Sequence, residues 1–135
     1  MTEPQLTELQ LVLLRLLWDR GAATVAELCD ALRPDRTLAP TTVATLLSRL
    51  EKRGIVGHST RARQYVYRAE VSEADVRRSM VNELTERLFA GDATELVSHL
   101  LTSGEIAAGD VARVRALVAK HEAKQDGKEK RHDRR

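Results

Sequence analysis

The chain has 135 residues, enough for one domain or a small domain with an appendage, and 42% of them are apolar while only 3% are aromatic. Its formal net charge of +2 is unevenly spread, and the single cysteine, Cys29, excludes an internal disulfide and a multi-cysteine metal site. No apolar run approaches the ~20 residues of a membrane helix, and the opening MTEPQLTELQ lacks the basic start of a secretion signal, so a soluble cytoplasmic protein is expected.

Thr7 with Gln10 has capping-box spacing and opens a first helix, which Gly21 closes. Leu9, Val12, Leu13, Leu16 and Leu17 give it a wide apolar stripe, marking it as core, and Trp18 near its end reads as a plug in that core. Thr24 with Glu27 opens a second helix. Its inner face holds Val25, Leu28, Cys29 and Leu32, so Cys29 reads as a buried structural thiol. Pro34 centres a turn over Arg33 to Arg36, and Thr37-Leu38-Ala39 reads as a short extended piece.

The stretch PTTVATLLSRLEKRG, Pro40 to Gly54, predicts a third helix with Pro at its first position and Gly just past its end. Val43, Leu46, Leu47 and Leu50 fall on one narrow apolar arc. The opposite arc carries Thr41, Thr45, Ser48, Arg49 and Lys52, with Thr42 at its edge. A generic solvated helix would carry Glu and Lys there, and Thr is a poor helix former. Short hydroxyl side chains let a helix approach another surface closely. On this segment alone, a recognition helix for the DNA major groove and an ordinary amphipathic surface helix both stand.

After Gly54 the period changes. Residues Ile55 to Thr60 predict one strand, Arg61-Ala62-Arg63-Gln64 a polar turn, and Tyr65 to Arg68 a second strand. Three helices followed by a hairpin is the order of a winged helix-turn-helix, in which the third helix enters the major groove. Arg61 and Arg63 at the hairpin tip suit phosphate or minor-groove contact. His58 reads as an incidental polar residue, and the two tyrosines as core or edge packing rather than a stacking platform for single strands. From Arg33 to Arg68 there are eight basic residues against Asp35 and Glu51, a net +6, whereas Ser72 to Glu122 is net −3. That asymmetry is the electrostatic footprint of a nucleic-acid site on part of the chain.

Beyond Val71 three one-sided helices follow. Val76, Met80, Leu84 and Leu88 recur every four residues with Val81 beside them; Leu96, Val97, Leu100 and Leu101 mark a short second helix; Val111, Val114, Leu117 and Val118 line the last. Their simplest partner is the same segment of a second chain, giving a homodimer whose two-fold axis presents two recognition helices to a palindromic site. The expected organisation is a mainly α protein: a winged-helix DNA-binding domain over residues 1–70, a helical dimerisation segment over 71–122, and a charged, disordered tail over 123–135.

With these elements placed, the chain resembles the BlaI/MecI-type penicillinase repressors, a family that includes copper-responsive members. The residues carrying the resemblance are LTELQLVLLRLLWDRG, TVAELCDAL, and above all TTVATLLSRLEKRGIV followed by RQYVYRAEV; it runs over residues 6–121. It implies a dimeric winged-helix repressor of transcription that binds palindromic operators. It also implies Thr41, Thr42, Thr45 and Arg49 as the reading face and Arg61 and Arg63 as wing contacts. In such families a membrane sensor-protease relieves repression by cutting the dimerisation segment. Where the better-known members carry an Asn-Phe scissile pair, this chain has His99-Leu100. The cysteine-rich tail of the copper-responsive members is absent, and no cofactor or metal is expected.

An enzyme is not expected. The chain has no Gly-rich phosphate loop, no pair of His ligands at metal spacing and no nucleophile–base set; Ser48, Ser59 and His58 have no geometric reason to converge. The alternative to a DNA-binding repressor is a winged-helix module that binds protein, against which the +6 stretch and the hydroxyl face weigh.

Overall fold

Two reciprocal capping boxes set the first two helices in this computed structural model, which describes residues 6–133. In α1 (Glu8–Arg20) the Thr7 hydroxyl accepts from the Gln10 N–H at 3.2 Å, and Gln10 Oε1 accepts from the Thr7 N–H at 3.0 Å. In α2 (Val25–Leu32) Thr24 and Glu27 do the same at 3.2 and 3.0 Å. Each box satisfies two donors that a helix start leaves open. The Thr24 backbone N–H, and then its hydroxyl, hold the Glu27 carboxyl below its ordinary value.

Helix α3 (Pro40–Lys52) starts on a Pro and ends in a left-handed turn at Gly54, φ +76°. There the Gly54 N–H donates to Glu51 O and the Ile55 N–H to Leu50 O, both at 3.0 Å. This is the pair of bonds by which a Gly closes a helix and reverses the chain. Strands β2 (Val56–Arg61) and β3 (Gln64–Ala69) then form the expected hairpin, with His58 opposite Tyr67 and Arg61 opposite Gln64.

A third strand was not expected. β1 (Ala23–Thr24) pairs with the free edge of β3, Ala23 opposite Tyr67 and Thr24 opposite Val66, so β3 is central in an antiparallel sheet of order β1-β3-β2. Two residues are too few to show a period of two. Thr24 serves both as strand end and as the cap of α2.

The core lies between the three helices and this sheet. Leu13, Leu14 and Leu17 of α1, Leu28 of α2, and Val43, Leu47 and Leu50 of α3 are at most 1% exposed, joined by Val56 and Tyr67. Burying each such Leu contributes about 1.5–3 kcal/mol, so the helices are held by packing as well as by their caps. Cys29 is buried, as its helix face predicts, and Trp18 packs half-buried at the margin of the core.

Helix α4 (Glu73–Phe89) follows. The residues as far as Leu84 form one compact unit and those from Thr85 another. This corrects two expectations. The first unit does not end near residue 70, because the first turns of α4 pack on it. Val76, expected at a dimer seam, is 3% exposed within its own chain and is therefore not available to a partner. With Leu11, Trp18 and Met80 it lines a groove of about 310 Å³.

The second unit contains α5 (Ala93–Thr102), a short 3-10 turn (Ala108–Asp110) and α6 (Val111–Asp133). Asp92 caps α5 by accepting from the Thr94 and Glu95 N–H groups at 3.0 and 3.2 Å. Helix α6 continues to Asp133, into the charged segment over 123–135 that was expected to be disordered; residues 134–135 of that segment lie outside the described residues. Lack of apolar residues removes packing, but Lys, Glu, Gln and Arg are strong helix formers in their own right, and a single Gly such as Gly127 costs only about 1 kcal/mol. Among the described residues no helix is long and apolar enough to cross a membrane.

Candidate nucleic-acid interface

Burial divides α3 cleanly. Val43, Leu47 and Leu50 point into the core at 0% exposure, Leu46 is half-buried, and Thr41, Thr42, Thr45, Ser48, Arg49 and Lys52 are all exposed. The helix therefore shows solvent a strip of three threonines, a serine and two cations. Thr45 Oγ1 donates to the Thr41 carbonyl at 2.9 Å. Its proton is thus used inside the helix, and what Thr45 offers outward is a methyl group and an acceptor oxygen. The N-cap residue Ala39 supplies no side-chain acceptor, so the positive end of α3 stays open to an anion.

The hairpin tip is a two-residue loop with both residues left-handed, Ala62 at φ 50° and Arg63 at φ 66°. That is the turn whose twist matches two antiparallel strands, and Gly or Asn usually supplies it. Arg61, Ala62 and Arg63 are exposed.

Seven of the eight cations of the basic stretch fall into two groups. Arg33 pairs with Asp30 at 2.8 Å, Arg36 with Glu8 at 3.9 Å and Arg68 with Glu70 at 2.8 Å. Arg49, Lys52, Arg61 and Arg63 make no ion pair among the described residues. The unneutralised charge of the stretch thus sits on the outer face of α3 and on the tip of the wing, where a polyanion would find it.

One relationship in this region was missed by the sequence. His58 on β2 is not incidental: its Nδ1 lies 2.7 and 2.9 Å from the two Glu51 carboxylate oxygens at the end of α3. Facing a carboxylate, Nδ1 must be the donor. The imidazole also stacks on Tyr65 at 4.1 Å and 21°, and tilts against Tyr67 at 5.6 Å. Tyr67 is buried in the core and Tyr65 is exposed. Burial pushes the Tyr67 phenol above its ordinary value, with the Glu51 carboxylate and Tyr65 adding to it. The available signal was the Gly54 turn: a chain reversed there brings the last turn of α3 against the start of β2.

The family model for the penicillinase repressor matches residues 6–120. The chain belongs to the penicillinase repressor family. This is a family of transcriptional repressors, not of enzymes. The penicillinase repressor of Bacillus licheniformis is 22% identical over 118 residues, spanning 87% of this chain and 92% of that protein. The methicillin resistance regulatory protein MecI of Mammaliicoccus sciuri is 19% identical over 107 residues, 79% of this chain and 87% of that one. A MarR mutant from E. coli, solved in complex with operator DNA, is similar in fold, with TM-score 0.50 and 18% identity over 86% of this chain and 75% of that chain. The fold of this penicillinase repressor family member is thus the winged helix its element order implies.

Proposed function

We propose that this protein is a dimeric repressor of transcription that binds a palindromic operator through α3 and the β2–β3 wing. The observation that carries it is the exposed strip of Thr41, Thr42, Thr45, Ser48, Arg49 and Lys52, joined by Arg61 and Arg63, in which none of the four cations has a carboxylate partner among the described residues. Membership of a family of repressors supports the same role. Phosphate neutralisation by Lys52, Arg61 and Arg63 supplies most of the affinity, through counterion release. Arg49 addresses a guanine edge with two parallel hydrogen bonds, and the threonines meet base edges by oxygen or methyl.

Dimerisation uses apolar side chains that the monomer leaves in water. Leu84, Leu88, Leu117 and Val118 are 42, 71, 65 and 52% exposed, while Met80, Val111 and Val114 are half-buried. Two linked half-sites raise affinity through effective concentration. In the same proposal a membrane sensor-protease relieves repression by cutting at His99-Leu100. That pair lies within α5, so the helix must open locally before it is cut.

The test is a titration of mixed-sequence duplex DNA at several salt concentrations, with sedimentation of the free protein. The expected result is a dimer whose log affinity falls with log salt by about 0.9 per phosphate contact, with a shallower slope in Arg61→Ala and Arg63→Ala. Affinity independent of salt, or no binding to any duplex, would contradict the proposal.

A further inference from the structure

Resting on the DNA-binding proposal, we infer that the Glu51–His58 pair is a positioning device that fixes the wing relative to the recognition helix. Glu51 is one of only two carboxylates between Arg33 and Arg68 and stands next to Lys52 in sequence. A carboxylate at that place repels phosphate. Here both its oxygens are engaged by His58 Nδ1, at 2.7 and 2.9 Å.

The bridge spans the turn at Gly54, the chain's reversal between the two DNA-contacting elements. Beyond its two chain neighbours nothing lies within 4 Å of where a side chain on Gly54 would begin, so the outer side of the turn is open. Residues 51 and 58 close it from within. His58 cannot swing freely, because its ring is held by the Tyr65 stack and lies against Tyr67, a core residue paired opposite it in the sheet. The chain of contacts runs from the last turn of α3 through Glu51 and His58 to the middle of β3, and β3 leads to Arg63. Glu51 and His58 are positioning residues, acting through Arg49 on one side and Arg61 and Arg63 on the other.

The sign of one substitution separates this role from simple electrostatics. Glu51→Ala removes a negative charge from a basic surface. If charge is all that matters, DNA binding tightens. If Glu51 positions the wing, binding weakens, by about tenfold for a coupled side-chain pair. The probe is a duplex enriched by the wild-type protein from a random-sequence pool, with a mixed-sequence duplex as control and thermal unfolding recorded for each variant. Glu51→Gln keeps the acceptor and loses the charge, and is expected to bind as tightly as wild type or more so. His58→Ala should weaken binding like Glu51→Ala, and the double variant should be no weaker than the weaker single one. The salt slope should become shallower in Glu51→Ala and His58→Ala, because a displaced wing loses the Arg61 and Arg63 phosphate contacts, and stay as in wild type in Glu51→Gln. Should Glu51→Ala fail to fold, His58→Phe, which keeps the stacked ring and loses Nδ1, is read in its place. Glu51→Ala or His58→Phe binding as tightly as wild type overturns the inference and leaves the DNA-binding proposal standing. A wild-type protein that enriches no duplex overturns both.

Discussion

Trp18 Nε1 donates to the Val71 carbonyl across 2.9 Å, tying the end of α1 to the segment that leads into α4. The ring is the chain's only tryptophan and packs against the core from its edge. Trp18→Phe keeps most of the apolar contact and leaves the Val71 carbonyl without this donor. We expect it to cost about 1–2 kcal/mol, read as a lower midpoint in urea unfolding followed by circular dichroism.

The wing tip carries strain that a smaller residue would relieve. Ala62 and Arg63 both occupy the left-handed region, where an L side chain meets its own backbone. Ala62→Gly should therefore raise stability by about 0.5–1 kcal/mol, after allowance for the freer unfolded chain. DNA affinity should stay unchanged, since Ala62 brings no charge. Arg63→Gly should be stabilised similarly and yet bind DNA more weakly. Thermal unfolding and a binding titration on the same two variants check both halves.

Much of this fold is legible in the sequence because its signals are local. Thr7/Gln10 and Thr24/Glu27 mark helix starts, Gly54 marks an end, and the leucine spacing of α3 assigns its core face, all in agreement with the structure. In α1 the buried face is rotated from the expected stripe: Leu13 and Leu17 are in it, but Leu14 and Gln10 replace Leu9, Val12 and Leu16. What was not legible depends on tertiary contact. β1 exists only because β3 has a free edge, and Val76 is buried because the start of α4 rests on the first unit. The Glu51–His58 bond depends on a turn angle that no composition records. For α6 the signal is intrinsic helix propensity, which extends the helix where packing does not. The exposed strip of α3 was legible because the buried one was.

Acid should act on the start of α2. The Thr24 backbone and hydroxyl lower the Glu27 carboxyl from its ordinary value. A carboxyl depressed in the folded state gives stability that is present above its unfolded value and lost as pH falls through the folded one. Glu27→Gln should consequently lose less stability than wild type when the protein is acidified, with the two unfolding midpoints converging at the lowest pH. A constant difference between the two across the whole range would refute this.

Breaking the proposed dimer should uncouple assembly from folding. Leu88 and Leu117 are 71 and 65% exposed in the single chain, so Leu88→Asp with Leu117→Asp removes nothing from the monomer's own core. We expect a folded monomer in sedimentation and a loss of operator affinity of about a hundredfold, the contribution of linking two half-sites. Unchanged sedimentation would move the seam elsewhere.

The most direct measurement is selection of bound fragments from random duplex DNA at fixed salt, with wild type and Arg49→Ala in parallel. The expected result is an inverted repeat with half-sites about one helical turn apart, and a loss in Arg49→Ala of about 1–3 kcal/mol on the selected site with little change on mixed-sequence DNA. No enriched sequence, or an equal loss on both kinds of DNA, would contradict α3 as the element that reads the operator.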